Sequence, residues 1–204
     1  MSATTDKELV KNVKDGNRVA FSELVKRHQK PLFQFIIRYT RNENLAEDIV
    51  QDAFIRAYTK IHTFEERAAF KSWLYRIALN LAKNKLRREK PQYSIDNVKV
   101  GKVAEAESAL VYETIQKRIQ VEIDALPAKQ KEALHLRVFE DLAFKEIAEI
   151  MDCPYDTAKA NYRHALLKLK QTFGEDQALR EWLNMINREL DVLETKLGVE
   201  NERI

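Results

Sequence analysis

Cysteine, glycine and proline are scarce in this chain of 204 residues, which holds one Cys, four Gly and four Pro. The lone Cys153 excludes an internal disulfide framework and any zinc site built from several cysteines of one chain. So few turn formers argue against a sandwich or barrel, and against collagenous or low-complexity sequence. No run approaches the ~18 apolar residues that a membrane helix needs. The opening MSATTDKELVKNVKDGN is polar and charged and has no secretory apolar region. These absences predict a soluble, cytoplasmic protein without membrane insertion.

What is present is helical pattern and charge. One third of the residues are charged and 45% are hydrophobic, with 35 Lys and Arg against 32 Asp and Glu. Apolar residues recur at three- and four-residue steps nearly everywhere, and no alternating strand of useful length stands out. The fold class expected is all-α.

Lys7 to Val13 reads as an opening helix ended by Asp15-Gly16-Asn17. Ala20 to Thr40 carries a broad apolar stripe, and Pro31 predicts a kink or a split within it. Asn44 is the expected cap of the next helix, with Glu47 as its capping-box partner. That helix repeats Leu45, Ile49, Ala53 and Ala57, and a further helix is expected over Phe70 to Arg88.

Residues 5–90 thus form one helical domain. Residues 91–108 contain Pro, Gly and Ser with weak periodicity and read as a flexible linker. Helical pattern over 109–173 makes a second, smaller domain, broken at Leu126-Pro127, around Asp141 and at Asp152-Cys153-Pro154. Residues 174–204 form an acidic amphipathic extension.

The nearly balanced net charge of +3 hides a partition. From Arg67 to Lys90 eight cations face Glu89 alone, a balance of +7. Thr157 to Phe173 has four cations and no acid, whereas the extension has four cations against eight acids. Two basic helices on two domains suggest a polyanion gripped at two points.

Three constellations follow. Phe144 to Met151, a turn at Asp152-Cys153-Pro154 and a helix from Tyr155 make a helix-turn-helix pattern. Its second helix leaves Lys159, Ala160, Arg163 and His164 outward near the end that such motifs present to base edges. An ordinary helical hairpin with a solvated basic face explains that segment equally well.

Phe64, Arg67, Phe70, Lys71, Trp73, Tyr75, Arg76, Asn80, Lys83 and Asn84 interleave aromatic, cationic and amide groups, a mixture suited to unpaired DNA. Trp73 also follows the buried spacing of its helix. The third constellation is the outer face of residues 45–58, where Glu47, Asp48, Gln51, Asp52 and Arg56 offer a protein-docking surface.

Catalytic chemistry finds no assembled group. His28, His62, His135 and His164 are scattered, and there is no Gly-rich phosphate loop or nucleophile elbow. Asp48 and Asp52 lie one turn apart, as on many solvated helices. No catalytic residue, metal or cofactor is assigned, and the chain reads as a non-enzyme.

LAEDIVQDAFIRAY (45–58), FKSWLYRIALNLAKNKLRR (70–88) and LPAKQKEALHLRVFEDLAFKEIAEIMDCPYDTAKANYRHALLKLK (126–170), in this order, resemble bacterial RNA polymerase sigma factors of the extracytoplasmic-function group. The resemblance covers roughly residues 5–173. It implies a region 2-like domain over 5–90 and a region 4-like domain over 109–173.

By resemblance, Asp48, Gln51 and Asp52 dock on the clamp helices of the polymerase largest subunit. Phe64, Arg67, Phe70, Lys71, Arg76, Asn80, Lys83 and Asn84 serve the minus-ten element, Phe64 to Lys71 forming a loop around a flipped base. Lys159, Ala160, Arg163 and His164 face the minus-thirty-five element. The partners implied are core RNA polymerase, including its flap, promoter DNA and an anti-sigma factor.

Some positions depart from the family pattern. Lys131 replaces a common Arg. Ala143 replaces a usual Ser, leaving Asp141 as the expected cap. Ala160 and His164 stand where Ser and Arg are frequent, and the charge of His164 can change near neutrality.

Two rivals remain: a stand-alone helix-turn-helix regulator, and an interaction protein that self-associates through the extension as a coiled coil; the free protein is otherwise expected to be a monomer. The extension itself is expected to pack Trp182 and Leu190 on the second domain, with a cover over a basic surface as the sharper alternative.

Overall fold

The structure, a computed structural model, describes residues 4–65, 69–88, 106–174, 176–177, 180–184 and 186. Among them the long elements are α-helices and no strand occurs: α1 (Asp6–Lys14), α2 (Arg18–Thr40), α3 (Glu43–Lys60), a 3-10 turn (Ile61–Thr63), α4 (Phe70–Arg88), α5 (Ala106–Asp124), α6 (Ala128–Val138), α7 (Phe144–Met151) and α8 (Tyr155–Phe173).

The chain divides into two compact units. One comprises Met1–Val100 with Leu142–Ala158, the other Gly101–Asp141 with Lys159–Ile204. The helix-turn-helix is therefore shared: α7 and the first turn of α8 belong with α1–α4.

In the first unit α1, α2 and α3 each start on a short polar side chain. Thr5 Oγ1 accepts the Glu8 amide while the Glu8 carboxylate accepts the Thr5 amide, a reciprocal capping box. Asn17 accepts the amides of Val19 and Ala20 at the head of α2. Asn42, rather than Asn44, caps α3 by accepting the Leu45 amide at 2.9 Å. The cap falls there because α2 ends at Arg41 in the left-handed region, φ 61°, which returns the chain to helix two residues early.

Pro31 neither splits nor ends α2, which runs unbroken through it. An interior proline costs about 3 kcal/mol through its missing amide and ring clash. Beyond it Leu32, Phe35 and Ile36 are fully buried, each contributing roughly 1.5–3 kcal/mol. That burial outweighs the defect, and Pro31 itself lies on the exposed side.

The core is closed by Ala46, Ile49, Ala53 and Ala57 of α3 and by Leu74, Tyr75, Ala78 and Leu79 of α4. Small alanines let α3 approach its neighbours closely, and the rings of Phe35 and Tyr75 meet at 5.1 Å. Helix α7 packs against α4 and buries Phe144, Ile147, Ile150 and Met151. Asp141 does not cap it. Its backbone is left-handed, φ 50°, and the Glu146 carboxylate serves the start of α7, accepting the Ala143 amide at 3.0 Å.

The second unit is built on Ile119, Ile123, Leu126, Leu134 and Leu136, with Ala165, Leu169 and Phe173 of α8. Helix α6 opens on an exposed first turn, and from residue 132 to 137 it is buried all round, Glu132, His135 and Arg137 included. In the extension, Leu183 and Ile186 are buried and Trp182 lies edge-on to Phe173 at 6.1 Å. Asp176 pairs with Arg118 of α5. Packing of the extension on its own unit is thus present at Trp182, whereas Leu190 and residues 91–105 of the expected 91–108 linker lie outside the described residues; residues 106–108 of that stretch are already helical, the first turn of α5.

Candidate nucleic-acid interface

Helix α4 joins a buried face to a polar one because its apolar residues keep helical spacing while Asn80, Lys83 and Asn84 fall between them. Asn80 and Asn84 are exposed one turn apart, and Lys83 between them is half-buried. At the head of α4, Lys71 Nζ sits 5.5 Å from the centroid of the Tyr75 ring, a cation–π distance. Arg76 pairs with Asp152 at 2.9 Å.

The aromatic residues of this segment form one cluster. Phe64 and Trp73 meet at 4.8 Å, Phe64 and Phe70 at 6.2 Å, and Phe70 and Trp73 at 6.0 Å. Phe64 and Phe70 are 6% and 3% exposed, so they form the floor of the cluster. Trp73, half-buried above them, carries its accessible ring surface. Arg67 lies outside the described residues.

The acidic face of α3 stands as the spacing predicts, with Asp48 and Gln51 exposed and Asp52 half-buried. Lys85 reaches it from α4, 3.2 Å from Asp52 and 3.9 Å from Asp48. The structure adds two residues to this face: Ile55, 56% exposed, and Tyr58, 41% exposed. Tyr58 rests on Phe21 at 4.9 Å. Ile55 is one turn beyond Gln51 and off the Leu45–Ile49 stripe, a placement the helical period could have revealed.

On α8, Arg163 and His164 are exposed, and Lys159 and Ala160 are half-buried. Ala158, Tyr162, Ala165 and Leu169 hold the opposite side inward. Three surfaces result: an amide and cation face on α4, an acidic and apolar face on α3, and a basic face on α8. The first two suit unpaired bases with their phosphates and a protein partner, and the third suits duplex DNA. Among the described residues no cluster of His, Cys, Asp and Glu could hold a metal ion, and no helix is long and apolar enough to cross a membrane.

Comparison with known proteins gives the family. The family model for Sigma-70 region 2 matches residues 24–92, and that for Sigma-70 region 4 matches residues 116–169. The chain is 36% identical over 177 residues to the ECF RNA polymerase sigma factor SigW of Bacillus subtilis, a match covering 79% of this chain and 95% of the relative.

Two solved structures share the fold. CnrH in complex with the cytosolic domain of CnrY has a TM-score of 0.64 at 23% identity, covering 82% of this chain and 96% of that one. The sigma factor RpoE in complex with the anti-sigma factor NepR from Bartonella quintana has a TM-score of 0.58 at 21% identity, covering 77% and 98%.

Proposed function

This chain belongs to the extracytoplasmic-function group of RNA polymerase sigma factors, and from that premise we propose how its surfaces divide the work. As a sigma factor it binds core RNA polymerase and directs promoter-specific transcription initiation.

Asp48, Gln51 and Asp52, joined by Ile55 and Tyr58, dock on the clamp helices of the largest subunit. Apolar area at Ile55 supplies affinity and the carboxylates supply register, the usual division at an interface. Asn80 and Asn84 read bases of the minus-ten element, while Lys71, Arg76 and Lys83 hold its phosphates. Phe64 and Phe70 support the Trp73 ring against which an unpaired base stacks, and Arg67 joins them from the same loop. Stacking of this kind contributes ~1–3 kcal/mol per base.

Lys159, Ala160, Arg163 and His164 face the minus-thirty-five element, Arg163 offering the bidentate donor that guanine takes best. The polymerase flap is the second docking point, on residues 109–173. Catalysis stays with the polymerase, this chain contributing no catalytic group, metal or cofactor, and it works in the cytoplasm. An anti-sigma factor is a further partner, supported by the solved complex of a relative of the same fold.

The observation that carries the reading is the pairing, on α4, of exposed Asn80 and Asn84 with the aromatic cluster at its head. Run-off transcription with purified core polymerase on a pool of promoter fragments tests it. Specific initiation only when this protein is added is expected, with Asn80→Ala losing minus-ten selectivity and Arg163→Ala losing minus-thirty-five selectivity. Duplex binding by the isolated chain, with neither core binding nor added initiation, would instead establish the stand-alone regulator.

A further inference from the structure

Helices α1 and α2 hold the two ends of the segment that leads into α4. At the near end Lys14 Nζ donates to the Phe64 carbonyl at 2.7 Å, and the same ammonium lies 5.8 Å from the Phe64 ring centroid. At the far end the Phe70 ring lies 5.5 Å from the His28 ring. His28 Nε2 is in turn 2.6 Å from the Asp6 carboxylate at the head of α1, which also takes Arg27 at 3.2 Å. The Thr5–Glu8 capping box fixes that head.

A lysine on a surface helix ordinarily keeps its ammonium in water and its stem mobile. Here a half-buried Lys14 gives up that freedom to one backbone carbonyl on a sequence-distant segment. A bond from a charged donor is roughly twice as strong as a neutral one. It sets the chain direction at Phe64 and, through the 4.8 Å ring contact, the seat of Trp73.

We propose that Lys14 is a positioning residue for minus-ten recognition: it fixes Phe64, and through Phe64 the Trp73 ring, in the geometry that reads unpaired promoter bases. This rests on the assignment of α4 to the minus-ten element. Lys14 touches no base. Its effect is on base selectivity, whereas a lysine that simply neutralised a phosphate would act on every sequence alike.

The test uses holoenzyme assembled from core polymerase and the full chain, as wild type, Lys14→Met and Lys14→Arg. The probes are fluorescent single-stranded DNA oligonucleotides carrying the non-template minus-ten strand of a promoter selected by run-off, and the same oligonucleotide with each base changed in turn. Affinities are read by anisotropy at several salt concentrations.

Lys14→Met is expected to bind the cognate strand about tenfold more weakly, the scale of one lost charge-assisted bond. It should also lose most discrimination between bases while keeping the wild-type salt slope and core affinity. Lys14→Arg, which can still donate to the carbonyl, should restore both. Where Lys14→Met does not assemble with core, Lys14→Gln takes its place.

Equal weakening toward every oligonucleotide, with a salt slope reduced by about 0.7, would make Lys14 a phosphate contact and overturn the proposal. So would unchanged discrimination in Lys14→Met. A wild-type holoenzyme that did not distinguish the oligonucleotides at all would overturn the minus-ten assignment itself, a different failure from a selective wild type with an equally selective variant.

Discussion

Helices α4 and α8 are both basic, nineteen residues long and amphipathic, yet they spend their charge differently. On α4 much of it is engaged within the protein: Arg76 with Asp152, Lys85 with Asp52 and Asp48, Lys71 over Tyr75. On α8, Arg163, Lys168 and Lys170 are exposed and make no ion pair among the described residues. A count of cations therefore overstates the free positive charge of α4 and measures that of α8 well. The first helix is a structural member with exposed amides, Asn80 and Asn84, on one edge. The second presents its charge outward, as duplex DNA requires.

The largest expected effect sets stability against recognition. Tyr75→Ala removes a fully buried ring of α4 and should cost ~3–5 kcal/mol, read by denaturant unfolding. Arg163→Ala on α8 should leave the unfolding midpoint within ~0.5 kcal/mol of wild type. Equal losses would erase the distinction between the helices.

Next in size, Arg163→Ala should remove about 1–3 kcal/mol of discrimination at one guanine of the minus-thirty-five element. Binding to single-stranded minus-ten DNA should be untouched. Asn80→Ala should show the converse, weakening the minus-ten strand by about 1 kcal/mol while duplex affinity stands. Crossed effects in quantitative binding titrations would merge the two sites.

A smaller effect sharpens the charge argument. Asp152→Ala frees Arg76 from a surface pair worth at most ~1 kcal/mol. The expected change is a slightly tighter grip on single-stranded DNA, with a salt slope steeper by under one contact. A weaker grip would mean that the pair orients Arg76 for its phosphate.

The smallest lies at the entrance to α1. Hydrogen bonds from Thr5 hold the Glu8 carboxyl below its ordinary value of 4.5. Because the folded value is depressed, the cap's contribution is complete above pH 4.5 and is lost as pH falls through the lower folded value. Glu8→Gln should remove this acid dependence from the thermal midpoint of the full chain, whereas Thr5→Ala, which keeps the backbone amide that lowers the carboxyl most, should only reduce it.

Helical period alone placed α4 at its observed ends, Phe70 and Arg88, and put the helix-turn-helix breaks where they occur. Local chemistry was less decisive where neighbours compete. Asn42 and Asn44 can both cap, and the choice rests on the left-handed turn at Arg41, set by the packing of α2. Pro31 carries a local penalty that only the burial of Leu32, Phe35 and Ile36 could override.

The candidate site divides the same way. Exposure of Asn80, Asn84, Arg163 and His164 was readable from spacing. The engagement of Arg76, Lys85 and Lys14 was not, because their partners are distant in sequence and meet them only through tertiary packing.

The burial of α6 has a consequence for timing. The first turn of the helix, with Ala128 and Lys129 exposed, is free to fray, but Glu132 through Arg137 are all buried. The amides of that buried stretch should exchange with deuterium only when the whole unit opens, the slowest class of exchange in a domain. The exposed flank of α8 should exchange through smaller local openings. A unit whose central stretch gives way last gives the basic face of α8, most of which lies in the same unit, a rigid seat.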